Sequence, residues 1–193
     1  MTRGIQLIVG LGNPGSEYAS TRHNVGYWLV EKLCDQSSAK LELEQKFKGL
    51  VAKISTPHLV RVLEPITFMN RSGQAVWSLA HFYKILPHEI LVVHDDLDLP
   101  AGSARLKLDG GHGGHNGLRD IIAHLGTKNF YRLRIGIGHP GNKEEVLDYV
   151  LHRPSLSDKE KILTAIDHSL DVMSDIFQGN TEKAMNKLHT ITK

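Results

Sequence analysis

A histidine in a polar loop is the first residue of this sequence that could carry chemistry. His23 lies in the stretch TRHN, downstream of a loop rich in Gly, Pro and Asn. Histidine titrates near neutral pH and is the most frequent general base in enzymes. The position also suits a second role, because His23 or Asn24 could cap the helix predicted to begin near Asn24. Residue types alone leave both roles open.

Carboxylates follow the apolar run ILVV in the string HDDLD, which contributes Asp95, Asp96 and Asp98. One of them could orient a catalytic histidine through its second ring nitrogen. The cluster could instead hold a divalent metal through oxygen ligands, or form a solvated turn before Pro100. Asp95 is the carboxylate nearest the apolar run, so we expect it to be the most buried.

The stretch GGHGGHNGL places His112 and His115 at H-x-x-H spacing. A zinc site would need a further clear ligand, and the single cysteine, Cys34, falls in a predicted helix, so we predict no metal. The glycines favour close approach of the backbone to a ligand or to another loop. Asn116 offers an amide with donor and acceptor ends, or alternatively caps the helix that begins near Leu118.

The stretch TFMNRSG precedes another predicted helix. Phe68 and Met69 could line a pocket while Asn70 binds a polar backbone. In the alternative, Asn70 or Ser72 caps the helix, and Phe68 and Met69 fill the core.

Glycines 10, 12 and 15 satisfy the dinucleotide fingerprint G-x-G-x-x-G after a strand. That fingerprint requires a helix to open within the motif, where its N-terminus meets a pyrophosphate. Here Pro14 and a polar stretch delay the helix to about Asn24. We therefore predict tight turns, and no dinucleotide cofactor, for this loop and for the similar GIGHPG at 136–141.

The elements that must position these residues alternate between strand and helix patterns. The expected strands are 6–9, 47–54, 59–63, 89–94, 104–108 and 130–137, with 47–54 and 59–63 forming a hairpin. The expected helices begin near 24, 72 and 118 and cover 157–177 and 181–191. This order predicts an α/β fold: a single compact domain over 1–193, with a mixed twisted β-sheet sandwiched by α-helices.

Composition narrows the function classes. The chain has 193 residues and a formal net charge of +2, and no apolar run is long enough for a membrane span. One cysteine and no recognisable export signal lead us to expect a cytoplasmic protein. Residues 100–143 nevertheless carry seven lysines or arginines against two acids. Such a local excess is either a solvated face or a surface that attracts phosphates.

Taken in order, GLGNPG, TRHN-x-G, TFMN-x-SG, HDDLDLP-x-G, GGHGGHNGL and RLRIGIGHPG resemble the bacterial peptidyl-tRNA hydrolase family from residue 5 to about 152. The resemblance implies hydrolysis of the ester between a peptide and the 3′ ribose of tRNA. It also implies a monomer that needs neither cofactor nor obligatory protein partner.

The resemblance also assigns roles to individual residues. It implies that His23 is the catalytic base with Asp95 as its partner, and that Asn13 distinguishes a peptidyl from a free aminoacyl group. It places further residues along the substrate channel or beside the site, namely Tyr18, Phe68, Met69, Asn70, His115 and Asn116. It assigns contacts with tRNA phosphate to Arg105, Lys107 and Arg134.

Two other classes remain as alternatives. One is an RNA-binding module that keeps the scaffold without catalysis, against which the intact His23 and Asp95 argue. The other is a metal-dependent hydrolase built on the Asp and His clusters. The apolar face of the C-terminal helices, 151–193, is expected to pack on the core, although a lid over the substrate is a second reading.

Overall fold

The computed structural model describes residues 4–55 and 57–192. Within them lie seven strands: β1 (Leu7–Gly10), β2 (Glu42–Glu44), β3 (Gly49–Ile54), β4 (Val60–Pro65), β5 (Ile90–Asp96), β6 (Ala104–Leu108) and β7 (Tyr131–Gly136). The helices are α1 (Val25–Gln36), α2 (Ser72–Phe82), α3 (Asn116–Leu125), α4 (Val146–Val150), α5 (Leu156–Leu170), α6 (Met173–Phe177) and α7 (Thr181–Ile191).

All seven strands join one mixed sheet in the order β2-β3-β4-β1-β5-β7-β6. The central strands β4, β1, β5 and β7 are parallel, whereas β2-β3-β4 and β6-β7 pair in antiparallel fashion. The predicted hairpin is thus confirmed, with Ile54 opposite Val60. Parallel strands place their carboxyl ends at one edge, where α/β proteins collect functional loops.

Helices cover both faces of the sheet, as the alternation of strands and helices predicts. Alternate residues of β1 enter different cores: Ile8 packs with α1 and the C-terminal helices, whereas Leu7 and Val9 pack with α2 and α3. Continuous apolar runs in β1 and β5 are therefore explained, because both faces of these strands are buried. The α/β sandwich expected from the sequence is confirmed.

The glycines of the first loop serve packing between α1 and the sheet. A Cβ on Gly10 would lie 2.5 Å from the Gly26 carbonyl oxygen, and one on Gly26 would lie 2.5 Å from the Leu11 nitrogen. Because glycine has no Cβ, the start of α1 can approach the ends of β1 and β5 this closely. Since α1 begins only at Val25, no helix opens within the GLGNPG loop.

The C-terminal part departs from the sequence prediction. The single helix expected over 157–177 is two helices, α5 and α6, and α4 was missed because its five residues are too short to show periodicity. The helix expected over 181–191 is confirmed as α7. Leu188 and Ile176 pack in the core, as expected for an apolar helix face. In the described ranges, no helix combines the length and the apolarity that crossing a membrane requires.

Candidate active site

His23 and Asp95 meet at the carboxyl edge of the sheet. His23 lies in a 3₁₀ turn before α1, and Asp95 lies near the end of β5. His23 Nδ1 is 2.8 Å from Asp95 Oδ2. His115, which precedes α3, places its Nε2 at 2.8 Å from Asp95 Oδ1. One buried carboxylate therefore binds two imidazoles, one through each oxygen.

The hydrogen-bond partners fix the tautomers of both rings. An ionised carboxylate only accepts hydrogen bonds, so His23 donates from Nδ1 and keeps the lone pair on Nε2. His115 Nδ1 accepts from the backbone N–H of Leu118 at 3.3 Å, so the proton of His115 is on Nε2 and is directed at Asp95. Asp95 thereby leaves His23 Nε2 free to accept a proton.

Charge and burial shift the pKa values of this pair in opposite directions. Burial alone would raise the pKa of Asp95, but the charges and hydrogen bonds of His23 and His115 hold it well below its usual range. Burial alone would lower the pKa of His23, but the charge and hydrogen bond of Asp95 outweigh it and raise the pKa. Asp95 is thus ionised, as an orienting group must be.

His94 is buried next to Asp95, and its ring is neutral. Its Nδ1 donates to the Asp95 carbonyl oxygen at 2.8 Å. Burial, followed by the charge of His115, lowers the pKa of His94 to about 4. A neutral His94 fixes the backbone at Asp95 without adding a positive charge beside it.

Asn24 does not cap α1; it holds the backbone of Asn13. Its Oδ1 accepts from the Asn13 N–H at 2.9 Å, and its Nδ2 donates to the Asn13 carbonyl at 3.0 Å. Asn13 Oδ1 accepts from the Met69 N–H at 2.7 Å. The acceptor end of the Asn13 amide is therefore occupied, and its Nδ2 end remains as a donor.

The side-chain amide of Asn116, like that of Asn13, has its acceptor end occupied. Its Oδ1 accepts from Arg119 Nη1 at 2.9 Å, which leaves the NH₂ end for another acceptor. The alternative role of Asn116 as a helix cap is wrong, because the side chain of the preceding His115 caps α3. Capping by Asn70 or Ser72 is wrong as well: the residue at the N-cap position of α2 is Arg71, and Ser72 Oγ donates to the Met69 carbonyl.

The TFMN stretch splits between core and surface. Met69 is buried among the residues between the sheet, α2 and α3, whereas Phe68 is exposed and meets the edge of Tyr18 at a ring separation of 6.2 Å. Asn70 is also exposed. Phe68 therefore does not fill the core, and it forms an apolar surface with Tyr18.

A cavity of about 660 Å³ opens beside His23, Asp95, His115 and Asn116. Its wall carries several cationic side chains, which are Lys107, Arg132, Arg134 and Lys143. Of the predicted tRNA contacts, it contains Lys107 and Arg134, but not Arg105. The predicted residues Asn13, Tyr18, Phe68, Met69 and Asn70 lie outside its lining, so His23 borders the cavity but Asn13 does not.

The cationic side chains that line the cavity, and Arg105 outside it, differ in whether they are hydrogen-bonded within the protein. Arg134 Nε donates to Asp96 Oδ2 at 2.7 Å, and Arg132 donates to the carbonyls of Gly110 and Gly111, which holds the glycine loop. Arg105 Nη1 donates to the Thr192 carbonyl at 2.8 Å. Lys107 is exposed on β6.

Arg22 is a buried residue beside His23 whose structural role the sequence analysis missed. It is buried, its Nη1 donates to the Tyr149 carbonyl at 2.9 Å, and its guanidinium lies 3.8 Å from the centre of the Tyr149 ring. It thereby ties the turn that carries His23 to α4, whose Val146, Leu147 and Val150 line the cavity. The only signal was a basic residue next to His23, and its partner lies in a helix that the sequence did not reveal.

The two histidines of the H-x-x-H pair have different hydrogen-bond partners. His112 Nδ1 accepts from the Gly114 N–H at 3.0 Å, whereas His115 faces Asp95. Among the described residues, the group able to hold an ion is His23, Asp95 and His115, whose ligand atoms lie within 4.8 Å of one another.

Comparison with known proteins finds a matching family model and close relatives of this chain. A sequence model described as "Peptidyl-tRNA hydrolase" matches residues 7–193. The peptidyl-tRNA hydrolase of Coxiella burnetii (strain RSA 493 / Nine Mile phase I) is 57% identical over 190 residues, covering 98% of this chain and 100% of the relative. That of Methylobacillus flagellatus is 54% identical over 190 residues, covering 98% and 99%. The crystal structure of peptidyl-tRNA hydrolase from Acinetobacter baumannii matches with a TM-score of 0.97 and 49% identity, over 100% of this chain and 98% of the other.

Proposed function

The chain belongs to the peptidyl-tRNA hydrolase family, and from this premise we propose how its side chains cleave the ester between a peptide and the 3′ ribose of tRNA. The observation that carries the proposal is the 2.8 Å contact between His23 Nδ1 and the buried Asp95 carboxylate. With Nδ1–H donated to Asp95, the Nε2 lone pair of His23 takes a proton from water. The resulting hydroxide attacks the ester carbonyl, and Asp95 stabilises the imidazolium that forms.

The tetrahedral intermediate then collapses, and the bond to the ribose oxygen breaks. The proton held on His23 Nε2 passes to this leaving oxygen, which restores the base. A developing oxyanion requires preorganised donors. The free NH₂ end of Asn116 supports its assignment to this task, and the exposed Asn70 is a second candidate for gripping the substrate.

Selectivity for a blocked amino group follows from the donor end of Asn13. A peptidyl group carries an amide carbonyl that accepts a hydrogen bond from Asn13 Nδ2. A free aminoacyl group lacks that carbonyl and carries an ammonium, which is costly to desolvate without a counter-charge. Tyr18 and Phe68 would then receive apolar side chains of the peptide.

The basic wall of the cavity supports binding of the tRNA 3′ end. Lys107 and Arg134 would contact phosphates without reading sequence. Arg105 would contribute less, because its Nη1 already donates to Thr192. We further propose that the protein acts as a monomer without an obligatory protein partner, in the cytoplasm.

The proposal is tested by release of N-blocked aminoacyl groups from tRNA in the presence of EDTA, with free aminoacyl-tRNA as the comparison. We expect His23→Ala to lose about 10²–10⁴-fold in turnover, while His168→Ala on α5 serves as a matched control and stays active. Circular dichroism would verify that both variants fold. Wild-type turnover in His23→Ala would refute the assignment. Salt-sensitive tRNA binding without cleavage by the wild type would favour the RNA-binding module instead.

A further inference from the structure

Two imidazoles and one carboxylate converge at the edge of the cavity in an arrangement that suits a metal ion as well as a proton. His23 Nδ1 and His115 Nε2 each lie 2.8 Å from an oxygen of Asp95. All three ligand atoms fall within 4.8 Å of one another, and the three side chains are at most 12% exposed. We propose that this cluster binds Zn²⁺ and that the bound ion switches off hydrolysis, the latter resting on the proposed role of His23.

The donor set selects the class of metal. Two histidine nitrogens and one carboxylate form a set that zinc accepts, with a further position open to water. All three side chains line the cavity, so water there could reach an ion bound between them. Mg²⁺ prefers oxygen ligands and retains its waters, so it is a poor occupant of a site with two imidazoles.

Binding at this site rearranges two protons. In the free site, the Nδ1–H of His23 and the Nε2–H of His115 are both directed at Asp95. A zinc ion that takes these nitrogens as ligands requires their lone pairs, so each proton moves to the other nitrogen of its own ring. No net charge is lost from the protein, and Asp95 stays ionised as the third ligand.

The consequence for His23 is loss of its function as a base. With Nδ1 bound to zinc, its proton is on Nε2, which then has no lone pair to accept a proton from water. On His115, the displaced proton goes to Nδ1 and removes the 3.3 Å bond from the Leu118 N–H. Zinc binding therefore costs the long hydrogen bond by which His115 caps α3. A metal with low affinity for imidazole would not offset this loss.

Binding is measured first, without substrate, by calorimetric titration of chelator-treated protein with ZnSO₄. Wild type should bind one ion, whereas His115→Ala and His23→Ala should bind at least about 10-fold more weakly. His115→Asn provides a second variant, because asparagine can cap α3 but is too short to reach Asp95. His168→Ala should bind like wild type. Unchanged zinc affinity in all three site variants would overturn the proposal.

Inhibition is measured next on a short N-blocked aminoacyl oligonucleotide, which limits zinc binding to phosphates. Micromolar Zn²⁺ should stop turnover, EDTA should restore it, and an equal concentration of Mg²⁺ should have no effect. Cleavage in EDTA combined with no zinc binding would refute this inference and leave the proposed function intact. Zinc binding at His23 and His115 by a protein that never cleaves the substrate would refute the proposed function and the inhibitory role of the ion, and would leave only the zinc site.

Discussion

Asn24 holds Asn13 by both of its backbone polar groups, with an N–H···Oδ1 distance of 2.9 Å and an Nδ2–H···O distance of 3.0 Å. Both residues are buried, and the Asn13 side chain in turn accepts from the Met69 N–H. The loop after β1 and the turn before α2 are thereby fixed to the turn that carries His23. The orientation of the donor end of Asn13 is therefore set by its contacts with Asn24 and Met69.

Releasing Asn13 should therefore reduce selectivity. We expect Asn24→Ala to narrow the preference for N-blocked over free aminoacyl-tRNA by about 3–10-fold, the worth of one hydrogen bond that is no longer preorganised. Asn24→Asp, which keeps the acceptor but loses the donor, should narrow it less, and Asn13→Ala should narrow it most. The measurement is kcat/KM for both substrates. Equal losses on both, with an unchanged ratio, would show that Asn13 does not read the blocked group.

Asp95 should control both the rate and its pH dependence. The base must be unprotonated, so wild-type kcat/KM should fall as pH drops through the pKa of His23, which Asp95 raises. In Asp95→Asn that charge is gone while burial remains, so the acid limb should move to lower pH. Turnover should also fall about 10²–10⁴-fold, because an amide NH₂ directed at Nδ1 favours the wrong tautomer.

The check is a pH profile of kcat/KM for wild type, Asp95→Asn and Asp98→Asn, all in EDTA. Asp98 lines the same cavity but is exposed, so its variant should keep the wild-type limb. An acid limb that stays in place in Asp95→Asn would mean that His23 is not the titrating base.

The fold was predictable because its signals are local. Apolar runs ending at Gly10 and Asp95 mark buried parallel strands, and the break near Pro57 marks the hairpin. The region after Gly136 was less predictable, since α4 has five residues and α5 and α6 follow each other after a two-residue gap. Periodicity does not resolve elements so short or so close together.

The pairing of a histidine with an aspartate near the end of β5 was predictable, as His23 and Asp95 show, but the partners of the neighbouring side chains were not. Asn24 has the residue type and position of a helix cap, yet its side chain bonds to a backbone 11 residues away. His115, not Asn116, caps α3, although asparagine is the stronger capping type. In both cases tertiary contacts override the local preference. The burial of Arg22 depends in the same way on a distant helix.

Lys107 should account for part of the salt dependence of tRNA binding. It is exposed on the edge strand β6 and lines the cavity. Replacing it with Gln should weaken tRNA binding at low salt. It should also flatten the slope of log K against log salt concentration by about 0.7–0.9, the contribution of one phosphate contact. Lys159→Gln on the exposed face of α5 is the control. An unchanged slope for Lys107→Gln would remove Lys107 from the tRNA interface.

Glu64 gives a prediction about stability instead of catalysis. It lies on β4 and is 5% exposed, and among the described residues its Oε2 has no hydrogen-bond partner. Burial, with a smaller effect from Glu31, raises the pKa of its carboxyl to about 8. In an unfolded chain the pKa of a glutamate is about 4.3. Between these values only the unfolded chain loses the proton, so the free energy of unfolding should fall as pH rises, by at most about 1.4 kcal/mol per pH unit.

Glu64→Gln should remove this loss, because an amide stays neutral at every pH. Urea unfolding at several pH values should give similar stabilities for variant and wild type in acid. Toward alkaline pH the variant should become more stable than the wild type by about 1–3 kcal/mol. This is less than the full pKa difference would give, because water and side-chain relaxation reduce the penalty of a buried charge. Glu160→Gln on α5 is a matched exposed control and should follow the wild-type profile. Parallel profiles for wild type and Glu64→Gln would mean that Glu64 ionises as readily in the folded protein as in the unfolded chain.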